Sequence, residues 1–376
     1  MNYTITRIAG AFALLAGAVS LSAQTDDKVL KLDKYVIEEK AADPMGFLPN
    51  VEGTSVFGVG LKPVDTPRSI SMVTAEMIDL FDIDDINDLV GLTSGTYTSS
   101  FFGVAGALDI RGAPGETFFR GMKRIKNPGN FPTPIGASDR IDIVKGPPSP
   151  IFGPGPIGGY LNFIPKSARA STGKYMGAPS GKMTLTFGSW GKRVATAEVG
   201  GPAEIAGKKG GYYAYVLSEN SDSFYENSYQ NQTIAQASFD FDISKTVRVQ
   251  FGGQYQFYGG TENAGWNRLT QNLIDDHTYI TGSPISIDTD GDGANSRAEV
   301  VAAGVNRFVP YGTNPVLPAT FALVNPGTTQ LSRSQVLIAA GDKVDSDSLG
   351  LFFDTIKTFS PTATVTNKIF VDYLNR

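Results

Sequence analysis

Cysteine is absent from the sequence. Disulfides, thiolate nucleophiles and Cys metal sites are therefore excluded. Histidine is nearly absent: His277 stands alone, so a two-histidine metal site is excluded and no Ser/His/Asp set with a partnering motif exists. This histidine reads as a solvated or packed side chain, with titration the alternative. Polytopic helical membrane proteins need repeated apolar runs of about 20 residues. None is present, and mean hydropathy is −0.09. A transmembrane β-barrel survives that test, because its strands are only half apolar. Net charge is −5 and no Lys/Arg-rich run stands out, so no nucleic acid partner is expected. The glycines at 153–159 alternate with prolines, which lack the N–H donors a phosphate loop needs. On these grounds the chain does not read as an enzyme.

What is present starts with an export signal. Residues 1–7 are short and basic, residues 8–21 are rich in Ala, Gly and Leu, and Ser22-Ala23 ends the segment with small side chains. This reads as a signal peptide over residues 1–23, too short to span a membrane as a helix. An uncleaved anchor is the alternative. In residues 24–50, the stretch holding Val29, Leu30, Leu32, Tyr35, Val36 and Ile37 alternates apolar with polar positions. It is an extended segment able to add as a strand to a partner's sheet, or else an ordinary edge strand.

Residues 51–167 read as a compact α+β unit. Thr74 is placed to cap a helix through Ala75, Met77, Ile78 and Leu80. A second short helix is expected over 84–90, with acidic residues at its positive end. Leu108 to Arg111 and Arg140 to Val144 alternate as strands. The texture changes after Ser167. Apolar Ala235, Ala237, Phe239, Phe241 and Ile243 alternate with Gln236, Ser238, Asp240 and Asp242. Val247, Val249, Phe251, Tyr255 and Phe257 repeat the pattern against Arg248, Gln250, Gln254 and Gln256. Further strands are expected at 181–189, 195–199, 211–220, 347–358 and 363–374. Several exceed the soluble average of about 5–6 residues and match the ~9–11 needed to cross a bilayer. If the first runs outward, the links at 243–246 and 359–363 fall inside and are short. Those at 221–232 and 258–346 fall outside and are long, as in outer-membrane barrels. The link at 201–210 would be inside and is long for that side. A soluble β-sandwich remains the alternative, since alternation does not reveal which face is buried.

The α+β unit carries a set of motifs in order. Asp139-Arg140-Ile141-Asp142-Ile143-Val144-Lys145-Gly146-Pro147-Pro148-Ser149-Pro150-Ile151-Phe152-Gly153 strongly resembles the plug signature of TonB-dependent receptors. Gly158-Gly159-Tyr160-Leu161-Asn162-Phe163-Ile164 is similar to the strand that follows it. Thr66-Pro67-Arg68-Ser69 resembles the family's plug opening, and Ile110-Arg111-Gly112 its central Ile-Arg-Gly. Two departures stand out: Arg120-Gly121 where the family usually has Asp-Gly, and Pro165-Lys166-Ser167 at the end. The resemblance tilts toward siderophore receptors. It implies an α+β plug domain over 51–167, followed over 168–376 by the N-terminal part of a transmembrane antiparallel β-barrel. Barrels of this class run to about 22 strands; about seven can be placed here, and the final residues lack the terminal aromatic typical of such barrels.

The resemblance further implies localisation in the outer membrane, contact with its lipid, and a TonB box within Val29 to Ile37 that engages TonB and its ExbB–ExbD motor. It implies uptake of a ferric siderophore or similar ligand, with a receptor for oligosaccharide or a secreted β-rich binding module as alternatives. It matches Arg111 and Arg140 to plug arginines that pair with the barrel wall; stabilising the plug's own turns is the other reading. For ligand contact the nominees are Phe101, Phe102, Arg124, Lys126, Asn130 and Phe131, whose aromatic faces and cations suit an anionic chelate. No cofactor is required. One acidic loop fits calcium spacing: Asp288, Asp290, Asp292, Ala294, Ser296 and Glu299 occupy positions 1, 3, 5, 7, 9 and 12 of an EF-hand-like loop. A solvated acidic loop is the alternative.

Overall fold

A computed structural model describes residues 66–153, 155–169, 174–263, 266, 268–284, 288–292, 296–302 and 323–376. The expected signal peptide, the Val29 to Ile37 segment and Ala294 lie outside these residues, as does the side chain of Phe101.

The α+β unit opens with β1 (Ser69–Thr74) and α1 (Ala75–Leu80). Thr74 caps α1 as its sequence position implies: its Oγ1 accepts the Met77 N–H at 3.4 Å. The helix ends at Phe81 and turns Met77 and Ile78 into the core. The second helical piece divides into a 3-10 turn (Ile86–Asp88) and α2 (Leu89–Leu92). Asp85 and Asp88 form a reciprocal cap at its start. There follow β2 (Thr96–Phe101), β3 (Val104–Ile110), β4 (Ala113–Pro114), β5 (Glu116–Phe119), β6 (Met122–Lys123), β7 (Ser138–Lys145) and β8 (Gly159–Pro165). One sheet has the order β1-β7-β8-β5-β6 and the other β2-β3-β4. Leu108, Ile110, Ile141, Ile143 and Leu161 are wholly shielded from solvent, together with Ile86 and Leu89. Each such side chain contributes about 1.5–3 kcal/mol by leaving water. The alternation of β7 suggests one wet face. Instead Asp142 is as buried as its isoleucine neighbours, because β7 is flanked by β1 and β8 and covered on both faces.

The second half supplies β9 (Ser180–Phe187), β10 (Arg193–Ile205), β11 (Lys208–Asp222), β12 (Tyr229–Ser244), β13 (Val247–Gly260), β16 (Val344–Ser360) and β17 (Ala363–Asn375). They form one antiparallel sheet with β9 and β17 at its edges. Six of these strands run 13–17 residues, beyond the length needed to cross a bilayer at a tilt. The sheet resolves which face is buried. Gln236, Ser238, Gln254, Gln256, Ser348 and Asp354 are buried and bonded to the α+β unit. The apolar positions between them face away: Leu351, Phe353, Ile369 and Val371 are exposed, and Phe251 stacks on Phe239 at 5.1 Å and on Phe353 at 6.4 Å. A sandwich would do the reverse.

One expected link is corrected. Residues 201–210 are strand on either side of a two-residue turn, Ala206-Gly207, with both φ positive. Their Gly and Pro content reads as a loop, but Pro202 pairs opposite Gly211. Tyr213 lays its ring over Gly200, where a Cβ would collide at 2.4 Å, and Tyr212 lies against Gly201, where a Cβ would be tight at 3.1 Å from its hydroxyl. Aromatic cover is what lets a glycine persist inside a strand. The turn now matches the other short links, 245–246 and 361–362.

The link between β13 and β16 belongs to a separate compact unit, residues 263–339 with 224–226. Within it, α3 (Gln271–Asp276) is capped by Thr270 and ends at His277, whose backbone is left-handed. The antiparallel pair β14 (Thr278–Pro284) and β15 (Leu323–Gln330) and the short α4 (Arg297–Ala302) complete its described elements.

Candidate functional site

The chemistry gathers where the α+β unit meets the polar face of the long-strand sheet. Two arginines dominate it, both delivered by the β5–β6 hairpin. Its turn is Arg120-Gly121, with φ of 53° and 79°. Paired positive φ values fit a tight hairpin, and glycine takes its place without strain. The turn is held from within: the Arg120 N–H donates to Phe163 O at 3.0 Å and the Gly121 N–H to Asn162 Oδ1 at 2.8 Å. The Arg120 side chain then reaches the sheet. Its Nη2 donates to Asp354 Oδ2 at 2.5 Å and to Gln250 Oε1 at 2.8 Å, and its guanidinium lies 4.2 Å from the centre of the Phe352 ring. Lys368 Nζ donates to Arg120 O at 2.7 Å.

Arg124 makes the second grip. Its Nη2 meets Asp372 Oδ1 at 2.9 Å and Ser348 Oγ at 3.0 Å, and its Nη1 meets Gln254 Oε1 at 3.3 Å. The Ile125 N–H adds a bond to Asp372 Oδ2 at 2.7 Å. Side chains of both ion pairs are 15% exposed or less. Removing one partner of such a pair strands a charge, at about 3–5 kcal/mol. Between the arginines, Phe119 packs against Phe352 and Phe370 at ring distances of 6.0 and 6.1 Å.

Elsewhere the sheet holds backbone carbonyls. Ser346 Oγ donates to Asn130 O, Gln256 Nε2 to Pro132 O, Gln236 Nε2 to Ala137 O and Ser238 Oγ to Lys166 O, at 2.7–2.8 Å. Further along, Lys166 pairs with Glu198 at 2.5 Å. Arg169 Nη1 donates to Asp242 Oδ1 at 3.0 Å, and the Tyr175 hydroxyl to Asp240 Oδ1 at 2.9 Å. Burial and the Asp240 carboxylate push the Tyr175 hydroxyl above its usual range. Lys182 and Lys192 make exposed pairs with Asp79 and Asp84, of the kind worth about 0–1 kcal/mol.

The nominated residues divide. Arg140 meets Asp142 of its own strand at 2.8 Å, and burial raises the Asp142 carboxyl against the pull of that arginine. Arg111 is exposed in the turn after β3; with burial, its charge lowers Lys145. Arg120, noted in the sequence only as a departure, and Arg124, nominated for ligand contact, cross to the sheet, as does Arg169. The other nominees are not brought together. Phe102 and Lys126 are exposed. Asn130 is half-buried and accepts from Arg376 Nη1 at 2.8 Å. Phe131 is buried with Val104 and Tyr258. No periodicity signals the Arg120 and Arg124 pairings, since their acidic partners lie more than 230 residues away.

In the unit of residues 263–339, the carboxylates of Asp288, Asp290 and Asp292 have oxygens within 4.8 Å of one another. Such a hard-oxygen set suits a calcium ion in kind. Glu299, at position 12, is engaged differently. It accepts from the N–H groups of Thr289 and Ser296 at 2.5 and 2.9 Å and from the Thr289 hydroxyl at 2.8 Å. These donors pull its carboxyl down to about 2. The Ser296 N–H thus points at Glu299, and Glu299 bridges the two ends of the acidic loop.

Comparison with known proteins fits this arrangement. A family model described as the TonB-dependent Receptor Plug Domain matches residues 62–160. The ferripyoverdine receptor of Pseudomonas aeruginosa is 24% identical over 213 residues, which is 55% of this chain and 25% of that receptor. A ferrioxamine receptor of Yersinia enterocolitica is 24% identical over 172 residues, 43% of this chain and 23% of the receptor. The chain thus spans about a quarter of the length of these relatives. Among solved structures, FpvA of P. aeruginosa bound to heterologous pyoverdines has a TM-score of 0.60 at 19% identity, covering 85% of this chain and 35% of that one. The ferric preacinetobactin receptor of Acinetobacter baumannii has a TM-score of 0.58 at 15% identity, covering 86% and 40%. At such identities the structures speak for the fold, which is a plug packed on the polar face of barrel strands. With the plug motifs, the matched model and that fold in agreement, residues 62–160 are a TonB-dependent receptor plug domain, and the chain as a whole is similar to outer-membrane receptors of that kind.

Proposed function

We propose that this chain forms the gate and the first wall strands of a transporter that takes up a ferric siderophore, driven by TonB. The observation that carries the reading is the contact between plug and wall. It is rich in ion pairs and hydrogen bonds, Arg120–Asp354 and Arg124–Asp372 foremost, set around a few apolar contacts such as Phe119 on Phe352 and Phe370. Polar contacts can be exchanged for water, so a plug docked this way can be displaced and can return. The outer membrane holds no ATP, and the work of displacement has to arrive from elsewhere. TonB pulling on the segment around Val29 to Ile37 would supply it. Ligand binding contributes only its differential affinity for the two plug positions.

The relatives named above are receptors for ferripyoverdine and ferrioxamine, which supports a chelate as cargo and a non-enzymatic role. With no cysteine and one histidine, the protein would meet the metal through its chelator. An oligosaccharide is the rival cargo. The test is uptake of radioactive iron, offered with a panel of hydroxamate, catecholate and mixed peptide siderophores, by cells expressing the receptor. At least one chelate is expected to enter, and deletion of TonB should abolish its entry. Failure of every chelate, together with TonB-dependent entry of an oligosaccharide, would overturn the siderophore reading.

A further inference from the structure

The Arg120 grip is not isolated. Gln250, on β13, accepts from Arg120 Nη2 with its Oε1 at 2.8 Å and donates through its Nε2 to Asp240 Oδ2 on β12. Asp240 is buried, and its other oxygen accepts from the Tyr175 hydroxyl at 2.9 Å. Tyr175 in turn accepts from Arg169 Nη1 at 3.1 Å, and the same nitrogen holds Asp242 at 3.0 Å. Arg169 and Tyr175 lie on the segment by which the plug continues into the first wall strand, between β8 and β9. Arg120 itself bonds neither of them. The row therefore runs from the plug's β5–β6 turn, across two wall strands, to the plug's exit segment, and the amide of Gln250 is its middle link.

Two features indicate that the row does more than fill space. Arg120 has positive φ, a conformation that Gly, Asn and Asp adopt most readily. The arginine there takes an unfavoured backbone conformation while its side chain bonds Asp354 and Gln250. Gln250, like the Tyr175 hydroxyl, must accept on one side and donate on the other. A carboxylate or an alkyl group of the same size cannot do both.

We propose that Gln250 is a positioning residue that couples the Arg120 turn to the clasp on the exit segment, so that plug release and loosening of that segment occur together. The proposal rests on the reading that the plug moves. When Arg120 leaves Asp354, the Gln250 amide loses its acceptor role and is free to turn. Asp240 then loses a donor, and Tyr175 and Arg169 are left to hold the segment alone.

The experiment is amide hydrogen exchange by mass spectrometry on the full-length receptor in detergent, without TonB and without cargo. R120A and its milder counterpart R120Q are compared in the native background and in Q250L and Q250E. Q250E keeps an acceptor for Arg120 and removes the donor to Asp240. Exchange in residues 174–179 is expected to quicken about tenfold in R120A, less in R120Q, and the added effect of either should vanish in both Gln250 variants. In the reverse direction, Y175F should quicken exchange at residues 119–124 only where Gln250 is present. Heat-modifiable migration on gels verifies that each variant is folded. Exchange at 174–179 within twofold of native in R120A and R120Q, or an arginine effect that persists undiminished in Q250L, overturns the coupling. An uptake assay separates the two readings: lost coupling with uptake intact removes this inference alone, whereas preserved coupling in a receptor that imports nothing removes the transport reading alone.

Discussion

The plug sheet and the wall sheet are written in the same alternating code and fold with opposite polarity. In β7, Ile141 and Ile143 turn into a core sealed from solvent. In β12, β13 and β16, the corresponding apolar positions turn outward, and Gln236, Gln254 and Asp354 are buried instead. The surroundings make the difference. The plug's apolar face finds other side chains, whereas the wall's finds lipid, which satisfies hydrocarbon and nothing else. The plug–wall boundary is therefore mostly polar, with Phe119, Phe352 and Phe370 as an apolar island in it. The two regions also differ in permanence: one is held by close packing, the other largely by bonds that water can replace.

The largest way to break this contrast is at Asp354. Asp354→Ala leaves Arg120 partly buried without its carboxylate, and a loss of about 3–5 kcal/mol in plug docking is expected. It should register as faster proteolysis of the plug while the wall keeps its β-sheet circular dichroism. If Asp354→Ala leaves plug proteolysis unchanged, the ion pair is not what docks it. Next is the lipid face. Phe251→Arg should cost about 2–4 kcal/mol in membrane stability, read from urea titration in lipid vesicles. The same exchange at Gln250, one residue earlier on the lumen side, should cost the membrane-inserted state far less. Equal costs would mean the faces are assigned wrongly. The smallest effect is local to the plug. Thr74→Ala removes the cap of α1 and should cost about 1 kcal/mol. Amide exchange should rise in α1 with no change in plug–wall proteolysis.

Much of the local structure was legible in the sequence. Thr74 announces its helix, and the alternation at 235–257 announces two long strands. The order of motifs from Thr66 to Gly159 announces the plug. Two things were hidden for physical reasons. The polarity of the wall was one, since a period of two looks the same whichever side is wet. The glycines and proline of 200–211 were the other: they look like a loop until Tyr212 and Tyr213 are seen to cover them. The site was less legible still. Arg140 announces itself by motif but pairs with Asp142 nearby, while Arg120 and Arg124 find partners that no local pattern could name.

The wall takes hold of the plug at Arg120, Asn130, Pro132, Ala137 and Lys166 by their main-chain oxygens. A carbonyl is common to all twenty amino acids, so mutation at these five places does not erase the acceptor. Lineages can rewrite the plug's loops while the barrel keeps its handholds, and receptors of this shape are free to diverge in cargo without first redesigning how their gate is seated.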